Sequence, residues 1–291
     1  NLGYCRAVEE LAGIEVPERA EYLRVIMAEL NRIASHLVFI GSLAIDLGAS
    51  TGMLYTFRDR EDILDLFDLV CGARMTFHYI RIGGVHHDIP AEFIPKCRAF
   101  LDKVPKFMKE YEEILIGNEI FQRRLQGTSR LTPEMALAHN MTGPNLRAAG
   151  VSFDLRKVDG YGAYPKFEFD VPTGKNGDNW DRFLVRYNEI FESARIVRQA
   201  LDNLPEGPVM AKFPKVLRPP RGEVYSRTES TRGELGFYMV SDGSAKPYRV
   251  HIRRPSFINM QALDDMCRGY LIGDSVAAFA AIDPLMGEVD C

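Results

Sequence analysis

Residues 16–50, VPERAEYLRVIMAELNRIASHLVFIGSLAIDLGAS, decide the class of the fold. Pro17 suits a first helical turn, and Glu18 suits the positive end of a helix dipole. Leu23, Ile26, Leu30, Ile33, Leu37, Ile40 and Ile45 then recur at helical spacing until Gly48, a residue fit to end a helix. The pattern predicts one long core helix. Its most apolar part, Leu37 to Ala49, contains Ser42, Asp46 and Gly48 and is too short to cross a bilayer.

Further helices are predicted on either side. One runs from about 58 to 77 with Ile63, Leu66, Phe67 and Val70 on one face. Another spans about 91–125, with Pro105 expected to break or bend it. A third, at 133–141, opens on Thr132-Pro133-Glu134, and a fourth, at 178–203, is started by Asp178. Between them lie glycine-rich segments, Ile82-Gly83-Gly84, Thr142-Gly143-Pro144 and Asp159-Gly160-Tyr161-Gly162. Irregular stretches of this kind in a compact domain usually have a job. Glu234 to Val240 and Tyr248 to Arg253 flank Ser241-Asp242-Gly243 and read as a hairpin, followed by short helices at about 257–268 and 273–281. The predicted class is mostly α (α+β), with a small antiparallel sheet, as one domain over 1–291 in which the Pro-rich 205–220 joins two parts.

Composition narrows the function. The chain has 291 residues, 46% hydrophobic and 26% charged, with a net charge of -4, which is the profile of a soluble globular protein without a nucleic-acid stripe. No signal peptide or transmembrane segment is read, and a start at Asn1 suggests a fragment lacking its N-terminal part. The five cysteines form no C-x-x-C pair, so neither a disulfide framework nor a thiolate metal site is expected. His86-His87-Asp88 is the one tight set of metal-ligating types, and adjacent histidines rarely point at one ion. Nucleotide-binding glycine motifs and the G-x-S-x-G elbow are missing.

Three features carry chemistry. Asp46 lies in an apolar helical run, where a carboxylate either reaches solvent or an arginine, or is held in a low-dielectric cavity with a tuned proton affinity. The C-terminus, AIDPLMGEVDC, groups Asp283, Glu288 and Asp290 among apolar residues that ask for burial, which weakens the reading of a frayed acidic tail. Ser230-Thr231-Arg232-Gly233 is either a plain surface turn or a permanent cation beside closely approachable backbone, suited to a negative neighbour.

From Tyr4 onward the chain resembles the quinone-site (D-type) subunits of NADH–quinone oxidoreductases, on AVEELAGIEVPERAEYLRVIMAELNRIASHL, LGASTGMLYTFRDRE, GARMTFHYIRIGGVHHDIP, LRAAGVSFDLRK, RGELGFYMVSDG and DPLMGEVDC. The resemblance implies a fold related to nickel–iron hydrogenase large subunits. In those the C-terminal motif supplies two thiolates to nickel; Leu285 and Glu288 stand at those positions here and cannot bind nickel in their place. It further implies a quinone cavity that this chain lines in part, with quinone as substrate and no cofactor held by this chain. Asp46 corresponds to an aspartate that partners a quinone-binding histidine, and Asp283 and Leu285 to the lining of the quinone cavity. Thr76, Arg81 and Arg232 correspond to positions near a 4Fe-4S cluster held by a small iron–sulfur (B-type) partner subunit. Other implied partners are a C-type subunit and the membrane-arm subunits, with NAD at a distant subunit if NADH is the donor. The implied place is peripheral, on the cytoplasmic face of the inner membrane, in a proton-pumping complex.

Departures from the family pattern are also visible. The quinone-gripping histidine and tyrosine of the family lie upstream of Asn1, Thr76 replaces a frequent histidine, the link from Lys212 to Arg221 is short, and Cys291 replaces a terminal arginine. Two other readings compete: a membrane-bound hydrogenase-type subunit linked to ferredoxin or a deazaflavin, and a structural module without chemistry.

Overall fold

The computed structural model describes residues 1–214 and 216–290. Helix α1 (Leu2–Ala12) precedes α2 (Glu18–Asp46), the long helix that the periodicity predicts, and α3 (Ser50–Cys71). A two-stranded hairpin follows, β1 (Ile80–Arg81) and β2 (Gly84–Val85), and then α4 (Phe93–Tyr111), a π turn at Glu112–Ile116 and α5 (Glu119–Leu125). Short helices α6 (Pro133–Ala138), α7 (Pro144–Ala148) and α8 (Leu155–Val158) lead to α9 (Asn179–Asp202). The strands β3 (Gly222–Ser230), β4 (Gly233–Ser241) and β5 (Arg249–Arg253) form one antiparallel sheet in that order. The chain closes with α10 (Pro255–Asn259), α11 (Leu263–Cys267), α12 (Ile272–Ile282) and α13 (Met286–Val289). The class is mostly α with two small antiparallel sheets, as expected.

Local chemistry explains the boundaries. Asp178 caps α9 by accepting from the Asp181 N–H, and Thr132 caps α6 by accepting from the Met135 N–H. The helix expected at 58–77 begins eight residues earlier and stops at Gly72, which takes the left-handed conformation (φ 67°) as a C-cap. Pro105 does not break the predicted 91–125 helix. It sits on the exposed face of α4 while Leu101, Val104, Phe107 and Met108 hold the buried face, and the interruption comes later, at the π turn. Strand β3 escaped the sequence reading altogether. Its buried positions are Ser226, Thr228 and Glu229, so it lacks the apolar alternation that signals a strand.

Helix α2 runs through the core between α3 and α9. Leu30, Ile33, Leu37 and Ile40 are fully buried, each worth about 1.5–3 kcal/mol over exposure. Its other face is buried too, and it is charged. Glu29, Arg32 and His36 lie against α7, α8, α9 and β3 with Arg147, Asp154, Arg156, Glu189 and Glu229, and every one of these side chains is almost wholly excluded from solvent. Arg147 donates to Glu189 Oε1 from Nη2 (2.7 Å) and to Glu229 Oε1 from Nη1 (2.9 Å). Arg156 bridges Asp154 (2.6 Å) and Glu29 (3.0 Å), and Glu29 also accepts from Tyr164 (2.6 Å) and Ser193 (2.7 Å). Burial opposes the charge on Glu29, but Arg32 and Arg156 outweigh it and bring its pKa down to about 2. Burial lowers the His36 pKa to about 4, with Glu189 pulling the other way. The imidazole is therefore neutral at pH 7, and its Nε2–H donates to the Glu189 carboxylate at 2.8 Å.

Removing one member of such a set strands the others. Arg147→Met, leaving Glu189 and Glu229 buried without their shared cation, is expected to cost about 3–5 kcal/mol of unfolding free energy in chemical denaturation; a loss below about 1 kcal/mol would contradict the network. Acid should act on the same cluster. The His36 pKa in the fold lies below its ordinary 6.5, so in that interval the unfolded chain takes up the extra proton, and stability falls as pH drops from 6.5 to about 4. Glu29 extends the loss from its ordinary 4.5 down to about 2. A stability that stays flat from pH 6.5 to 4 would refute the assignment of a neutral, buried His36.

Candidate functional site

A cavity of about 550 Å³ opens beside this charged core. One wall is the α2 face bearing Asn31, Ser35 and Val38; another is the β3–β4 turn with Ser230, Thr231 and Arg232. Met75, Thr76 and Phe77, which follow α3, form a third side, and Leu285 and Glu288 close it from the C-terminus. Arg32 fixes the turn from within the core, donating to the carbonyls of Ser230 (3.0 Å) and Glu229 (2.8 Å).

Two glycines set the position of Arg232. Gly143 (φ 68°) lies against Gly233, so that a Cβ on Gly143 would fall 2.4 Å from the Gly233 Cα. A Cβ on Gly233 would in turn meet Thr142 Oγ1 at 2.5 Å. The backbone at Gly233 is thus closely approached by Thr142-Gly143. Asn259 pins the same place, donating to the Arg232 carbonyl (3.0 Å) and accepting from the Thr142 N–H (3.2 Å).

Arg232 reaches the C-terminal segment. Its Nη2 donates to Asp283 Oδ1 and its Nε to the Asp283 carbonyl, each at 3.0 Å, while Nη1 donates to Ser35 and Thr231. Asp283 ends α12 in the left-handed conformation (φ 59°, ψ 57°), an unusual setting for a non-glycine residue. Its Oδ2 is buried without a hydrogen bond, 3.9 Å from an equally unpaired Nε of Arg186. Burial raises the pKa of the Asp283 carboxyl, against the pull of Arg232 and Arg186. Burial likewise brings the Arg186 guanidinium down to about 10. A carboxyl whose proton affinity burial raises, set beside a fixed cation, is placed to exchange a proton without a large movement.

Leu285 lies on the cavity wall and is half exposed. Glu288 is tied to α10: its Oε2 accepts from the Ser256 N–H (3.1 Å) and Oγ (2.5 Å), and the same Oγ accepts from the Leu285 N–H (3.1 Å). Asp283 is not itself on the wall, contrary to expectation. It stands behind Arg232, because the αL turn aims its side chain back at Arg186 and Arg232.

The other expected residues separate into two groups. Thr76 borders this cavity and also a second one of about 440 Å³, where Arg81 sits with His78, His86 and His87. The hairpin bearing Arg81 is held by Arg24, which donates to the carbonyls of Gly84 (3.1 Å) and Arg81 (2.7 Å) and pairs with Glu9. His86 and His87 contact each other through Nδ1 at 3.1 Å, and Asp88 is drawn off to Arg19, so the trio does not converge on one point. Among the described residues no group of three metal-ligating side chains meets.

Of the two settings open to it, Asp46 takes the solvent-facing one in the structure. It is exposed, together with Ile45, in the last turn of α2, and it borders neither cavity. Val38, the last α2 residue on the cavity wall, lies eight residues earlier, about 12 Å along the helix. The apolar stripe buries Leu43 and Ala44 but turns the two following residues outward, which a run read only as apolar does not reveal. Sequence reasoning also missed Ser256, Asn259 and Arg186, whose types are ordinary and whose roles depend on partners more than 25 residues away.

Comparison with known proteins gives the family. The chain matches the family described as respiratory-chain NADH dehydrogenase, 49 Kd subunit, over residues 46–221 and 213–291. The two stretches overlap at the link read as shortened, part of which lies outside the described residues, as does Cys291. The D-type NADH-quinone oxidoreductase subunit of Clostridium beijerinckii is 53% identical over 99% of this chain and 78% of its own length. The proteins of the same name from Desulforamulus reducens and Carboxydothermus hydrogenoformans are 53% and 54% identical over all of this chain, which covers 79% and 80% of them. No helix among the described residues is long and apolar enough to cross a membrane. The chain therefore belongs to the family of the 49 kDa subunit of respiratory-chain NADH dehydrogenase, a complex I subunit and part of an oxidoreductase.

Proposed function

We propose that the larger cavity receives the headgroup of a quinone, which is reduced there by two electrons with uptake of two protons. The observation that carries this reading is the Arg232–Asp283 pair: a fixed cation on the cavity wall backed by a buried carboxyl whose proton affinity is raised. Charge that develops on a quinone oxygen would meet the guanidinium, and the carboxyl would adjust the local proton balance. Leu285 would pack against the ring. With Leu285 and Glu288 where a hydrogenase has two thiolates, and Glu288 engaged by Ser256, the geometry favours a quinone over nickel.

Electrons would come from a 4Fe-4S cluster of a small iron–sulfur partner subunit, seated near Thr76, Arg81 and Arg232. The side shared by the two cavities, marked by Thr76, supports that placement. A C-type subunit and the membrane-arm subunits would complete a proton-pumping complex, peripheral here and on the cytoplasmic face of the inner membrane, with NAD bound at a distant subunit if NADH is the donor. The chain would act as one domain around α2. Asp46, exposed at the end of α2, fits a group offered to a quinone-binding histidine on another segment rather than a member of this cavity.

Two substitutions in the assembled complex test the reading. Asp283→Asn removes a charge-assisted hydrogen bond and should lower the kcat of inhibitor-sensitive quinone reduction roughly ten- to hundredfold, while reduction of ferricyanide, which bypasses the quinone site, is kept. Unchanged quinone kinetics would sink the assignment of this cavity. Asp46→Asn should abolish quinone reduction in the same assay, and retained activity would remove Asp46 from the mechanism.

A further inference from the structure

Four guanidinium groups border the larger cavity, those of Arg32, Arg60, Arg74 and Arg232. Three are committed within the chain. Arg32 serves Glu29 and two carbonyls, Arg74 pairs with Glu61 and Asp65, and Arg232 holds Asp283. Arg60, on α3, is different. No described residue accepts a hydrogen bond from it or forms an ion pair with it, and its Nε is buried with no partner. Its guanidinium lies over the face of Phe57, at 5.8 Å. A guanidinium offers five N–H donors and no acceptor, so a buried part left unmatched is costly unless something in the cavity accepts from it.

Resting on the quinone reading above, we infer that Arg60 is a substrate-binding residue whose guanidinium donates to a quinone oxygen and stabilises the anionic form that arises when electrons arrive before protons. The balance is that of the whole reaction: quinone takes two electrons from the partner's iron–sulfur cluster and two protons from the medium, giving quinol, and Arg60 itself transfers neither. A neutral quinone carbonyl is a modest acceptor, whereas the oxyanion made on reduction accepts a charge-assisted hydrogen bond about twice as strong. The contact therefore tightens along the reaction and acts on kcat more than on KM. Burial weakens the hold of Arg60 on its proton, with Glu61 opposing, so an anion in the cavity would complete an electrostatic environment that the chain leaves open.

The test uses the assembled complex, a short-chain ubiquinone analogue as substrate, and ferricyanide reduction to count competent enzyme. Arg60→Gln should lower the kcat for quinone roughly ten- to hundredfold with a smaller rise in KM and unchanged ferricyanide reduction. Arg60→Lys keeps the charge but not the fork and should lose several-fold; if the glutamine variant fails to assemble, the lysine variant decides alone. Wild-type quinone kinetics in Arg60→Gln, or in Arg60→Lys where that variant decides, overturn the inference. So does a shift in the midpoint potential of the partner's cluster, followed by electron paramagnetic resonance, without a change in quinone kinetics. Asp283→Asn in parallel separates the two levels: if it is impaired and Arg60→Gln is not, only the role of Arg60 fails, and if neither is impaired the quinone cavity itself fails.

Discussion

Arg147 is the interaction on which the rest depends. From α7 it donates at once to Glu189 on α9 and Glu229 on β3, and through Glu189 it is linked to His36 on α2. One guanidinium thus joins four elements. A buried charge set of this kind is weak evidence for high stability, since desolvation offsets most of the attraction. It does demand one geometry, because each carboxylate and each cation is tolerable in the core only with its named partners.

That geometry is passed to the cavity by short steps. Glu29 orients Arg32, Arg32 grips the carbonyls of Glu229 and Ser230, and the turn that follows carries Arg232. On the far side the backbone contact of Gly143 with Gly233 admits no side chain, so Arg232 cannot drift away from Asp283. Asp283 is placed by its own left-handed turn at the end of α12. The Arg232–Asp283 pair, with Arg232 on the cavity wall and Asp283 behind it, is therefore pre-organised by the core.

The parts that sequence reasoning read well are those governed by near neighbours. The apolar period of α2, the caps Asp178 and Thr132, and the β4–β5 hairpin are set by residues within a few positions of one another, and they appear as expected. The misreadings share a cause. Strand β3 hides because its inward positions are polar and find their partners on α2, α7 and the loop of Tyr161. Pro105 leaves α4 unbroken because packing on the opposite face sustains the helix. Of the expected site residues, Arg232 and Leu285 meet at one cavity, Thr76 touches it, and Asp283 stands behind it. Arg81 belongs to the neighbouring cavity and Asp46 to the surface.

By itself the sequence determined the family, through several long motifs in order. It also determined the helical class, because an apolar stripe at a 3.6-residue period cannot be buried in any other way. Only the tertiary structure decided that the charged face of α2 is interior, that Glu288 is held by Ser256, and that Arg60 alone of four cavity arginines is left without a protein acceptor among the described residues. The reason is physical. The energy of a charge depends on what lies within a few ångströms in space, and for these residues those neighbours are tens to hundreds of positions away in the chain.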